Sequence, residues 1–303
     1  MAEAAIPVDL SNPGQVFACL GFLEAADALV GDAEGGFDWS DEADVRFSLR
    51  AAGEGNPFKE VLEFLKGAEI VDVEPLAWPA GHSQGSVCSE EFPTRLKSLW
   101  DSQDKKWKRS ALPIQVRWRE NRVVLDHWVD GSSRNAFKLY SGNRSALGIA
   151  TAMIAGTRAK PKKGQNIGDL ETRGVAALWD DDPAGLIEDP FRVTPMGGSF
   201  NFDPRGAWTP IDAGYSPDKQ DHHVAASPVV EFLAACGLEN ARPDEFETRK
   251  VRYAAWGIPL PPILARAALC GRISVLPLRR FRFELDMSGK NKVVTFAELE
   301  TRP

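Results

Sequence analysis

The spacing of apolar positions changes repeatedly along the chain, and each change marks an element. Ala5–Leu10 reads as a short strand. Val16, Leu20, Leu23 and Val30 then form an apolar stripe at helical spacing. Ser11-Asn12-Pro13-Gly14-Gln15 opens that helix: Asn12 suits the N-cap, Pro13 the first helical position, and Gln15 the reach-back of a capping box, while Gly31 ends the stripe. Gly35–Trp39 and Val45–Arg50 predict two strands, the second alternating Val45, Phe47 and Leu49. Gly55-Asn56-Pro57 repeats the Asn-Pro opening. Phe58, Val61, Leu62 and Leu65 follow at helical spacing, Gly67 stops them, and Ile70–Val73 predicts a last strand. Strand, helix, strand, strand, helix, strand is the ferredoxin-like βαββαβ order. RNA-recognition domains share it, but these strands lack the stacked-aromatic signature and lie in an acidic region, which favours a scaffold.

Further on, Pro75–Ser89 is rich in Pro, Gly and Ser and reads as a connector. Ile114–Arg119 and Val123–Val129 predict a hairpin around Glu120-Asn121, carrying Trp118 and Trp128, and Lys138–Ala155 becomes helical after Tyr140–Ser145. Asp180-Asp181-Asp182-Pro183 predicts an acidic turn. Pro195–Pro217 is interrupted by Pro and Gly too often for a long helix and is too aromatic for a disordered linker. It predicts an ordered loop anchored by Phe200, Phe202, Trp208 and Tyr215, with Gly197, Gly198, Gly206 and Gly214 letting the backbone turn. Pro228–Cys236 is a helix, Lys250–Trp256 a strand, and a short helix ends at Leu269. Arg272–Leu278 and Arg279–Met287 predict two strands, the latter alternating Arg280, Arg282 and Glu284 with Phe281, Phe283 and Leu285. The fold class is therefore α+β: a ferredoxin-like acidic scaffold over 1–91, then a mixed α/β region with long ordered loops over 92–303.

Composition supports a sizeable core, with 43% hydrophobic and 26% charged residues. No apolar run is long enough for a membrane span, and Met-Ala-Glu-Ala-Ala-Ile has neither the basic nor the apolar region of a signal peptide. The four cysteines form no CxxC pair, and Cys19 and Cys236 fall in apolar helical patterns, so reduced buried thiols and a cytoplasmic location are expected. The net charge of −7 conceals segregation. Residues 1–92 carry 18 acidic and 4 basic side chains, 93–163 carry 5 and 16, 164–248 carry 16 and 5, and 249–303 carry 4 and 11. Such blocks suggest particular surfaces that meet a polyanion, unless the blocks intermix in space and cancel.

Within the first basic block, Lys105, Lys106, Lys108 and Arg109 interleave with Trp100 and Trp107, a pairing that suits a phosphate backbone beside a stacked base, or equally a solvated helix face with two buried tryptophans. Lys160, Lys162 and Lys163 lie in Thr157–Asn166, a loop that no acid interrupts and that suits either clamping a backbone or simple solvation. Asn143 and Arg144, in a Gly-containing turn, are candidate base-edge readers, because amide and guanidinium groups read bases bidentately. There is no GxGxxG, Walker A, HExxH, GxSxG or metal-spaced Cys/His set, so no catalytic residue, cofactor or metal is predicted. His127 beside Asp126 on a strand would face the opposite way, and Asp221-His222-His223 reads as helix-terminal polar residues.

Two stretches carry a family resemblance. Ile6-Pro-Val-Asp-Leu-Ser-Asn-Pro-Gly-Gln-Val-Phe-Ala-Cys-Leu-Gly-Phe-Leu-Glu24 resembles the N-terminal segment of proteins encoded beside type I-U (also called I-G) CRISPR–Cas effector genes. Phe202–Ser216 with Val229–Leu238 and Arg242-Pro243 is similar to large-subunit-like proteins of those loci. The matches span roughly a quarter of the chain, and neither is a catalytic motif. The resemblance implies a non-catalytic subunit of a surveillance complex (Cascade), with crRNA, target double-stranded DNA, other effector subunits and a separate helicase-nuclease as partners and no membrane. It further implies help in recognising the motif that flanks the target. The alternatives are a purely structural subunit of that complex and a ferredoxin-like repeat-RNA ribonuclease using His127 or His222.

Overall fold

The computed structural model describes residues 1–72, 114–118, 121–125, 137, 139, 146–158, 170–207, 225–273, 275–288 and 291–301. Within these the protein is mixed α+β. Strands β1 (Ala2–Pro7), β2 (Glu34–Asp38) and β3 (Arg46–Ala51) form an antiparallel sheet in the order β1-β3-β2, with Ile6 and Phe37 both opposite Phe47. Helix α1 (Pro13–Leu29) connects β1 to β2 with β3 between them, as the predicted element order requires. Helix α2 (Pro57–Gly67) follows. Strand β4 (Glu69–Asp72) then joins a different sheet, pairing with β5 (Ile114–Trp118), which pairs in turn with β6 (Asn121–Leu125). In that hairpin Trp118 pairs with Asn121, so Asn121 belongs to the strand and not to the turn expected around Glu120-Asn121.

One device opens five helical segments. A side-chain oxygen accepts a first-turn amide, and the next residue is a proline whose missing N–H would have had no intrahelical partner. Asn12 accepts from Gln15, Asn56 from Phe58 and Lys59, Asp182 from Gly185, Asp203 from Arg205 and Ser227 from Val230. The expected capping box is altered: the Gln15 side chain accepts the Asp9 amide (2.8 Å) rather than that of Asn12. The acidic run 180–182 is likewise no simple turn. It ends α4 (Val175–Asp181), and Asp182 caps α5 (Pro183–Glu188). Between α2 and α4 lies α3 (Ala146–Ala155), helical after Ser145 as expected.

The C-terminal part holds α6 (Pro228–Gly237), β11 (Asp244–Glu247), β12 (Lys250–Trp256), α7 (Pro262–Leu269), β13 (Leu278–Ser288), β14 (Asn291–Val294) and β15 (Glu298–Leu299). The strands run β11-β12-β13-β14, with β15 also on β13. The strand expected over Arg272–Leu278 does not form; β13 begins at Leu278, after Pro277, which has no amide to give a ladder. Along β13, Phe281, Phe283 and Leu285 are buried while Arg282 and Glu284 are exposed, as their alternation predicts.

Helix α1 lies at the centre of the core. It is apolar all round rather than amphipathic, and it is buried from Pro13 through Leu23, packing most extensively on α6 and also on α2 and α7. The contact with α6 is backbone-close: a Cβ at Gly21 would fall on the Leu233 carbonyl, and one at Gly237 on the Phe17 carbonyl. The C-terminal sheet is tied to the N-terminal unit by Tyr253 Oη donating to Leu10 O (2.6 Å), Trp256 Nε1 donating to Gly35 O (2.7 Å), and a bridge between Gly35 and Leu260. Cys19 is a buried free thiol and burial pushes its pKa up. Among the described residues no helix is long and apolar enough to cross a membrane.

Candidate nucleic-acid interface

The nine residues singled out as nucleic-acid contacts, Lys105, Lys106, Lys108, Arg109, Asn143, Arg144, Lys160, Lys162 and Lys163, lie outside the described residues, as do Trp100, Trp107, His127 and His222. Their flanks are described. The stretch holding Lys105–Arg109 leaves β4 and re-enters at β5, with Asp72 directly opposite Ile114. The stretch holding Lys160–Lys163 leaves β7 (Thr157–Arg158) and re-enters at β8 (Leu170–Thr172), which pair antiparallel. Asn143 and Arg144 immediately precede α3. These flanks meet at α3, because its body packs on β4 and its C-terminal end passes through Gly156 into β7. Gly156 sits at φ +79, a conformation L side chains rarely adopt, and a Cβ there would press on the Thr172 carbonyl. Helix α3 is about 15 Å long at 1.5 Å per residue, so both its ends belong to one neighbourhood.

The strip 194–207 adjoins this neighbourhood. Thr172 Oγ1 accepts the Gly197 amide (2.7 Å), Asn201 Nδ2 donates to Leu139 O (3.4 Å), and β9 (Thr194–Pro195) pairs with β10 (Ala225–Ala226). Phe200 and Phe202 are fully buried, so this half of the aromatic loop is pinned as its composition predicts; Trp208 and Tyr215 lie outside the described residues.

Behind the strip is a sealed polar node that sequence reasoning missed. Asp203 accepts from Asn12 Nδ2 (3.1 Å), the Ser227 amide (2.9 Å), the Arg205 amide (3.2 Å) and the Arg205 guanidinium (2.7 Å at its closest). The Asp203 amide in turn donates to Glu231 Oε1 (2.8 Å). Asn12, Ser227 and Glu231 are 0% exposed and Asp203 is 1% exposed. Burial raises the Glu231 carboxyl to about 8, and the Asp203 charge pushes the same way, against the backbone donors of Asp203, Phe202 and Phe200. Two neighbouring carboxyls in unlike surroundings are the makings of an acid–base pair. Here both are closed off from solvent, and their bonds run to helix ends and to the strip, so their work is to seat residues 200–206. Two signals for the node stand in the sequence: Glu231 is the one charge in Pro228–Gly237, and Asp203-Pro204 repeats the capping dipeptide.

The fold is α+β, and the flanks of the basic segments are anchored in its core. No family model, curated protein or solved structure matches the chain. Among the described residues no group of three or more His, Cys, Asp and Glu side chains is suited to hold a metal ion.

Proposed function

We propose that this chain is a non-catalytic subunit of an RNA-guided type I-U (I-G) CRISPR surveillance complex, acting in the cytoplasm, contacting crRNA and target DNA and helping to recognise the flanking motif. The observation that carries the reading is the gathering, around α3, of the flanks of all three basic segments in a block with 16 basic and 5 acidic side chains. The second basic block behaves differently. Arg252, Arg266, Arg279 and Arg282 are engaged by Glu300, Glu24, Glu42 and Glu298, so the fold's own carboxylates occupy those cations. We therefore assign the polyanion contact to the first block, which carries 16 basic and 5 acidic side chains.

The test is binding of a fluorescent target duplex by the complex assembled with and without this chain, across a salt series. Omission is expected to abolish tight binding that depends on the flanking motif. In the assembled complex, Lys160→Glu, Lys162→Glu and Lys163→Glu together should weaken binding and flatten its salt dependence, because each phosphate contact adds about 0.9 to the logarithmic slope. A complex that assembles and binds equally well without the chain overturns the proposal. Loss of assembly, with affinity unchanged when the first block is neutralised, would assign a purely structural role.

A further inference from the structure

Glu231 occupies a position that an ionised carboxylate tolerates poorly. It lies in the first turns of α6, is 0% exposed, and packs against Asp203, whose own carboxylate is already held by Asn12, Ser227 and Arg205. Its Oε1 accepts the Asp203 amide and the Phe202 and Phe200 amides also favour the charged form, whereas Oε2 is buried with no hydrogen-bond partner among the described residues. An acceptor left bare in the interior costs on the order of 1–3 kcal/mol, and more when charged. Among the described residues no cation acts on Glu231. On the strip, Asp203 is an anion and Arg205 spends its guanidinium on Asp203 and on the Phe191 carbonyl. The facing part of α1 brings only the neutral Asn12 and Gln15, and α3, which also packs on α6, carries no ionisable side chain. On α6 itself the helix N-terminus favours an anion. That favourable field is shared with Asp203, whose carboxylate takes the N-cap amide of Ser227 directly.

We propose that Glu231 is a proton-operated latch: with its carboxyl neutral the segment Phe200–Gly206 stays docked on the N-terminal ends of α1 and α6, and ionisation undocks it. The docked state needs the Asp203 amide at Glu231 and the Asp203 carboxylate at Asn12 and Ser227 together. A second negative charge in the same sealed space repels the first, and both are relieved when residues 200–206 lift and water enters. Phe200 and Phe202 leave the core in that movement, so the latch joins one proton to the exposure of two aromatic side chains. The device acts on the strip that hydrogen-bonds to Thr172, beside the predicted nucleic-acid contacts, but it does not depend on that assignment.

The experiment is amide hydrogen exchange on the full-length chain between pH 6 and 9.5, with residues 200–206 read against α2 as an internal reference for the intrinsic base-catalysed rate. In the wild type, protection of 200–206 relative to α2 should fall by up to tenfold per pH unit as pH rises toward the Glu231 midpoint and level off above it, while Glu231→Gln should hold its protection at every pH. Identical profiles for the two proteins overturn the latch. A direct titration of the Glu231 side-chain carboxyl by carbon NMR in the folded wild type stands apart from any variant's ability to fold. A midpoint at pH 5 or below overturns the proposal, and one well above that supports it.

Discussion

At the scale of single residues, the protein gives two neighbouring carboxyls opposite fates. Asp203 takes hydrogen bonds from Asn12, Ser227 and Arg205, and the N-terminal ends of α1 and α6 face it. Glu231 is neutral because burial raises its carboxyl from 4.5 to about 8. The sign of the resulting pH dependence follows. The folded chain keeps a proton that the unfolded chain releases, so stability falls as pH rises from about 4.5 to about 8 and levels off beyond. Glu231→Gln, which keeps the shape of the neutral acid, should remove that slope and leave the variant more stable at pH 7 by about 3 kcal/mol. Urea unfolding at pH 5, 7 and 8.5 checks this; parallel curves for the two proteins would show that Glu231 does not titrate in this range. Asn12 carries a second prediction. It caps α1 and also donates to Asp203, whereas Asn56 caps α2 without such a buried partner. Asn12→Ala should therefore cost about 2–3 kcal/mol against about 1 kcal/mol for Asn56→Ala, measured as the difference in unfolding free energy. The cap was legible in Asn12-Pro13. The second bond was not, because its partner lies 191 residues away and local spacing carries no trace of it.

At the scale of elements, the places where sequence reasoning held and failed share a physical logic. Helix starts were readable because Asn-Pro satisfies local requirements within three residues, and the alternation along β13 was readable because a strand's two faces differ in burial. Strand partnership is a long-range matter. Nothing in Glu69–Asp72 says that β4 pairs with β5 instead of extending the sheet of β1, β3 and β2. Helix contact is similarly hidden, since Gly21 and Gly237 look like weak points in their helices until α1 and α6 are seen to meet there. Alanine is the better helix former by about 1 kcal/mol. Yet Gly21→Ala should destabilise by about 2–3 kcal/mol, because its methyl would strike a backbone carbonyl that can yield only if the two helices part. Gly31→Ala is the matched control. It sits at φ +90 with open space around the added methyl, so its cost should be the smaller one of backbone strain, about 1 kcal/mol. Thermal unfolding of both variants decides the order; a Gly21→Ala protein as stable as the wild type would mean that the helices are not in backbone contact.

At the scale of the whole molecule, charge and core are organised on different plans. Charge runs in blocks along the chain, and that much is visible without a structure. Whether a block survives as a surface depends on what folds against it: four arginines of the last block are taken up by Glu24, Glu42, Glu298 and Glu300, two of these carboxylates coming from the far end of the chain. The core ignores the blocks. Helix α1 has no solvent face over most of its length, being closed in by α2 from its own half and by α6 and α7 from the other, and Tyr253 and Trp256 place hydrogen bonds on the backbone of residues 10 and 35. A division at residue 91 would strip α6, α7 and the C-terminal sheet from that helix, baring Phe17, Leu20 and Cys19 along with the Gly21 contact. Each large apolar side chain so exposed forgoes about 1.5–3 kcal/mol, and a few of them exceed the stability of a small domain. The fragment 1–91 produced alone is therefore expected to lack dispersed amide and methyl NMR signals, while the full chain unfolds in a single transition that both far-ultraviolet circular dichroism and Trp fluorescence follow. Mixing fragments 1–91 and 92–303 should restore the signals, since the surfaces each half lacks are carried by the other. A fragment 1–91 that folds alone with native-like dispersion would mean that α1 finds enough cover within its own half, and that the acidic region is an independent domain after all.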